Sequence, residues 1–175
     1  MGEIPDRANM VSSIITFPTF DTTLQIGQAF DITVKVRGLA AGTFTNPDLT
    51  YYAAPQQLNS RGQILGHSHV TVQLLDAIDT QNIPDPDKFE FFKGINDAGD
   101  GQGTLKASVS NGFPVAGIYR VCTMTSAGNH QPVLMPVAQR GAQDDCVRFT
   151  VSADNSGGNN GDNSGRNNGG NTGKY

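Results

Sequence analysis

The sequence predicts an all-β protein, an immunoglobulin-like antiparallel β-sandwich with long loops and a disordered C-terminal tail. Three observations carry that expectation. Short stretches of alternating apolar and polar residues recur along the chain, separated by clusters of Gly, Pro, Asn and Asp. Helix-favouring acids are scarce, since Glu3 and Glu90 are the two glutamates among 16 acidic residues. Seven or so strand-like segments fit into one domain's worth of chain, 175 residues in all. The division expected is a flexible N-terminal segment over 1–12, a sandwich over 13–152 and a disordered Gly/Asn-rich tail over 153–175.

In chain order, Ile14-Ile15-Thr16-Phe17-Pro18 reads as a first strand, with the proline at its edge or end. Phe30 to Arg37 alternates most cleanly: Phe30, Ile32, Val34 and Val36 inward, Asp31, Thr33, Lys35 and Arg37 outward. Gly38 to Leu58 is polar and turn-rich and reads as a long loop packed by its own aromatic pair, Tyr51 and Tyr52. Ile64 to Leu75 is the central strand. Its alternation places Val70, Val72 and Leu74 on one face with Ser68, and His67, His69, Thr71 and Gln73 on the other. Pro84 and Pro86 then forbid a continuing ladder and mark a second long loop. Lys88 to Phe92 fits either a strand or one helical turn. Thr104 to Val109, Ala116 to Thr125 and Cys146 to Val151 complete the strands. Beyond Ser152 the composition shifts to Gly and Asn without apolar residues before Tyr175, so nothing there offsets the entropy of ordering.

Composition narrows the partners. A net charge of -4, with 12 scattered Lys and Arg, gives no electrostatic reason to bind nucleic acid or an anionic membrane. No apolar run approaches the roughly 18 residues of a transmembrane segment. The first residues lack a basic end followed by an apolar core, so either the protein is intracellular or a leader is lacking from this chain.

Cys122 and Cys146 each sit in an expected strand, and an even count without Cys-x-x-Cys reads as a disulfide. Closing about 25 residues would contribute roughly 3 to 4 kcal/mol in the chain-entropy account and imply an oxidising compartment. Buried free thiols or metal thiolates are the alternatives.

His67 and His69, at i and i+2, share one strand face with β-carbons roughly 7 Å apart. That spacing lets two imidazoles converge on one ion if a third ligand arrives from a loop, and His130 is the candidate. Zinc or copper suits such a set, with Met124 and Met135 as soft donors near His130. Alternatively the histidines simply hydrogen-bond loop carbonyls and pin the long loops, leaving Thr71 and Gln73 facing solvent. Tyr51, Tyr52, Thr71 and Gln73 form a candidate ligand surface. Asp144 and Asp145 are adjacent on a strand, so their side chains diverge and cannot act as a paired acid and base; they read as a solvated corner. Hydrolase elbows, zinc-protease motifs and phosphate cradles are missing.

The blocks Tyr51–Leu58, Gly66–Gln73 (Gly-His-Ser-His-Val-Thr-Val-Gln), Phe89–Asn96 and Asn129–Gly141 (Asn-His-Gln-Pro-Val-Leu-Met-Pro-Val-Ala-Gln-Arg-Gly) resemble a family of small secreted proteins of filamentous fungi that has no established activity. The likeness covers about residues 13–152. It implies an extracellular or cell-surface protein and supplies no catalytic residues. Together these readings lead to a non-catalytic binding or structural protein of a fungal cell wall or matrix. Its expected partners are cell-wall polysaccharide, another surface protein, or further copies of itself joined at β-edges. The alternative is an extracellular zinc or copper protein built on His67, His69 and His130, with or without enzymatic activity.

Overall fold

A computed structural model describes residues 1–153; the tail expected from residue 153 onward lies, from residue 154, outside the described residues. Among the described residues nine strands form: β1 (Ser12–Phe17), β2 (Thr23–Gln25), β3 (Phe30–Arg37), β4 (Leu39–Ala41), β5 (Ile64–Leu75), β6 (Phe91–Ile95), β7 (Thr104–Val109), β8 (Gly117–Ala127) and β9 (Cys146–Ser152). They make a three-stranded sheet, β1-β3-β7, and a six-stranded sheet, β2-β9-β8-β5-β4, with β6 also on β5. Among the described residues no helix is long and apolar enough to cross a membrane.

The two sheets face each other through one apolar core, which makes the fold the expected sandwich. The small sheet supplies Ile15, Ile32, Val34, Leu105, Ala107 and Val109, and the large one Val70, Val72, Tyr119, Val121, Phe149 and Val151. Alternation explains the membership: Ile32 and Val34 are fully buried while Lys35 and Arg37, one residue out of phase, are exposed. Phe113 stacks on Tyr119 at 4.5 Å and Phe30 meets Phe149 edge-on at 6.1 Å, closing one end. The buried Tyr119 hydroxyl donates to the Val115 carbonyl at 2.8 Å.

The ladders are antiparallel except at two short edges. β2 runs parallel to β9 and β4 parallel to β5, each over three residues. β4 lies inside the segment expected to be a loop. Of Lys88 to Phe92, Phe91 and Phe92 open strand β6, which pairs antiparallel with β5 from Phe91↔Val72 to Ile95↔Ser68, while Lys88 to Glu90 form neither the strand nor the helical turn. β5 is therefore central: β8 covers one edge along its length, and β4 and β6 share the other. Two positions depart from the expected facing. Leu74 is exposed at the end of β5, and Gln73 is buried rather than solvent-facing.

Residues 1–12, expected to be flexible, are held at named points. The Glu3 amide donates to the Gln56 carbonyl at 2.8 Å, and the Gln56 side chain donates back to the Glu3 carbonyl at 2.8 Å. Val11 packs with Leu39, Ile64, Ala127 and Val133 in a second, smaller core. Asp144 and Asp145 are not a solvated corner. Asp144 accepts from the Thr125 amide at 2.8 Å and Asp145 from the Ile15 amide at 2.8 Å, so each diverging carboxylate finds its own donor.

Candidate metal centre

His67 and His69 project from the outer face of β5, as their spacing requires, and β8 lies beside them with Ser126 opposite His67 and Met124 opposite His69. β8 ends at Ala127, and a turn then closes with the His130 amide donating to the Ala127 carbonyl at 3.0 Å. His130 has φ 68°, a left-handed conformation unusual for a residue with a β-carbon. Tyr52, whose amide bonds the Asn129 carbonyl, is also left-handed at φ 57°. Strained backbone of this kind persists where surrounding contacts enforce it, and such positions cluster at functional sites. Here the Asn129 side chain enforces it, donating to the Ala54 carbonyl and accepting from the Gln131 amide at 3.0 Å.

The three imidazoles meet. His67 Nε2 is 3.2 Å from His69 Nε2 and 3.0 Å from His130 Nδ1, and one nitrogen from each ring falls within a 4.8 Å group. Each ring's other nitrogen faces a backbone carbonyl: His67 Nδ1 to Thr43 at 3.1 Å, His69 Nδ1 to Met124 at 3.3 Å, His130 Nε2 to Thr45 at 2.7 Å. A carbonyl only accepts, so each of these outer nitrogens carries the ring's proton in the neutral form. The inner three are left as bare lone pairs pointing at one another. Pinning of the loops and convergence on a common point, posed as alternatives above, are thus made by opposite nitrogens of the same rings.

Three lone pairs in contact repel unless a cation sits between them. Ligand nitrogens at about 2.0–2.1 Å from a tetrahedral zinc ion stand roughly 3.3 Å from each other, close to the 3.2 and 3.0 Å that separate His67 from His69 and from His130. The outer carbonyls fix tautomer and ring orientation, the usual support of a histidine metal site. His67 is fully buried, and burial, followed by repulsion from His69 and His130, pulls its pKa down to about 4 against the bond to Thr43. Burial likewise lowers His69, opposed by its bond to the Met124 carbonyl.

Aromatic rings surround the cluster. Phe44 meets His67 edge-on at 6.1 Å, Tyr51 stacks on His130 at 5.6 Å, and Phe92 stacks on His69 at 5.4 Å. Tyr51 and Tyr52, stacked on each other at 4.2 Å and about half exposed, thus join the histidine face. Thr71 and Gln73 lie further along it. Gln73 is covered because its amide donates to the Asp85 and Lys88 carbonyls, each at 3.0 Å. Met124 supplies its carbonyl to the site, whereas Met135 packs against the smaller core and is not brought to it. Cys122 and Cys146 form a disulfide between directly paired positions of β8 and β9. Sequence reasoning missed Thr43 and Thr45, which act through backbone carbonyls and carry no side-chain signature. It also missed Phe44, which meets His67 edge-on.

A family model described as the CLU5d N-terminal domain matches residues 13–152. "Pathogenicity cluster 5 protein d" of Colletotrichum graminicola (strain M1.001 / M2 / FGSC 10212) is 57% identical over 155 residues, covering 88% of this chain. The chain spans 32% of that relative's length. No solved structure matches the chain.

Proposed function

The chain belongs to the CLU5d N-terminal domain family, and from that premise we propose that it is an extracellular fungal metal-binding module. One zinc or copper ion is held by His67 Nε2, His69 Nε2 and His130 Nδ1. The observation that carries this reading is the convergence of three ring nitrogens while every outer nitrogen faces a carbonyl. A core histidine kept for packing would need one satisfied partner; here three rings turn their acceptors toward one point. Three neutral imidazoles leave a fourth position for water or a ligand, where zinc would supply Lewis acidity and copper electron transfer.

The disulfide supports an oxidising compartment, and with it a place at the cell wall or matrix. The relative's name attaches it to a pathogenicity cluster, and we place this chain in the same setting. A second reading, a non-catalytic surface binder of polysaccharide, is supported by the exposed Tyr51–Tyr52 stack, whose rings offer flat apolar faces.

Elemental analysis of the purified full chain, loaded with zinc or copper and freed of excess, tests the first reading. One equivalent retained by the native protein and lost in His69→Ala is the expected result. A protein that retains neither metal overturns it, and pull-down on insoluble glucan or chitin with Tyr51→Ala as control then tests the second.

A further inference from the structure

We infer that the groove beside the histidine cluster binds a small carboxylic acid with an apolar or aromatic body, Arg120 pairing with its carboxylate. The groove, about 410 Å³, lies between the outer face of β5 and β8, the loop carrying Pro84, Pro86 and Phe89, and Phe92 of β6. That volume is in the usual range for small-molecule sites, roughly 300 to 1,000 Å³.

Arg120 is the anomaly. Its guanidinium has five N–H donors, and among the described residues one is used, from Nη2 to Gln73 Oε1 at 2.6 Å. Its Nε is buried without a partner, and among the described residues no carboxylate lies within 4.0 Å of it. Asp85 on the covering loop is engaged elsewhere: it accepts from the Asp87 amide at 3.0 Å and faces Lys88 at 3.7 Å. A partly buried cation left unpaired against proline and phenylalanine rings is costly unless an anion completes it. Gln73 fixes its pose. Both amide hydrogens of Gln73 go to loop carbonyls, so its oxygen must face the directly paired Arg120. Arg120 is thereby held at the groove wall with its terminal Nη1 and second Nη2 hydrogens uncommitted, donors that a carboxylate can take while Nε stays buried behind them.

Phe92 joins this groove to the metal centre, lining one and stacking on His69 in the other. A ligand anchored at Arg120 would lie along Phe92 and point toward the imidazoles, roughly 13 Å away along the strand at about 3.3 Å per residue. The anchor itself needs no metal.

Calorimetric titration of the full chain with 3-phenylpropionate and with its neutral amide, in chelator-stripped and zinc-supplied protein alike, tests the inference. The acid is expected to bind about tenfold more tightly than the amide, with that preference abolished in Arg120→Gln. Equal affinity for acid and amide, or no acid binding at millimolar concentration, overturns it. Where Arg120→Gln fails to fold, the acid-to-amide ratio of the native protein decides, with Thr71→Phe, which fills the groove and keeps the arginine, expected to lose both ligands. A preference present in stripped protein that never takes up zinc sustains the anion site while removing the metal reading.

Discussion

His67 Nε2 lies 3.0 Å from His130 Nδ1, and in the neutral rings both are acceptors, because the opposite nitrogens face the carbonyls of Thr43 and Thr45. Two acceptors at that distance destabilise the metal-free protein, and a cation would turn the repulsion into attraction. His130→Asn separates the two effects, since asparagine tolerates φ 68° and its amide can donate to His67. The expected outcome is a metal-free stability within about 1 kcal/mol of the native protein, read by chemical denaturation. The native protein should gain about 4 kcal/mol, or roughly 10 °C in Tm, at free metal a thousandfold above Kd. The variant should gain almost nothing. A variant stabilised by metal as much as the native protein would place the ion elsewhere.

Acid should weaken the metal-free fold through the same rings. Burial holds His67 at about 4, below the ordinary imidazole value of 6.5, and lowers His69 in the same direction. Between those two values the unfolded chain binds protons that the folded one refuses, so stability falls as pH drops through that window and levels off below it. His67 alone contributes on the order of 3 kcal/mol to the loss. Denaturation midpoints of stripped protein across the window should decline accordingly, and His67→Asn should flatten the decline. Bound metal should resist the early part of the fall and then be released, because its ligands must be unprotonated. A midpoint independent of pH across the window would contradict the burial of these rings.

Alternation made the scaffold of the site legible. Val70 and Val72 inward imply His67 and His69 outward, and both follow from a period of two. What alternation does not carry is what settles on the outer face. The loop from Pro84 to Glu90 folds back over it, and Gln73, expected in solvent, becomes a buried bracket for the Asp85 and Lys88 carbonyls. β4 escaped notice because three residues pairing in parallel with Ile64–Gly66 have too little length for a period, and their partner is set by tertiary contact alone. His130 was recognisable as a candidate by type, but its left-handed backbone is imposed by Asn129 and Ala54 and has no local sign.

Gly66 precedes the first ligand, and its place in β5 is dictated by the neighbouring strand. A β-carbon there would stand 2.0 Å from the Ser126 carbonyl oxygen and 3.1 Å from the Ala127 α-carbon, both backbone. Gly66→Ala must therefore part β5 from β8 at the level of His67, which pairs with Ser126. A loss of at least about 3 kcal/mol is expected by chemical denaturation. Any protein that still folds should hold metal more weakly than the native chain, read by competition with a chromophoric chelator. A neutral substitution would mean that the strands approach less closely than the pairing implies.

The disulfide should matter for persistence of the fold and little for the site. Cys122 and Cys146 pair directly between β8 and β9, 24 residues apart in sequence, and Cys122 sits one step along the outer face from Met124, whose carbonyl orients His69. Loop closure of that length contributes about 3 kcal/mol by restricting the unfolded chain. Because the gain resides in the unfolded state, the folded geometry at Met124 should survive its loss. The Cys122→Ser, Cys146→Ser double variant is thus expected to unfold at lower denaturant by about that amount, yet to bind metal with unchanged stoichiometry under native conditions. The two quantities, measured on the same preparation, distinguish this from a linchpin of the site. A variant that stays stable but loses its metal would show that the cross-link positions the Met124 carbonyl, and through it His69.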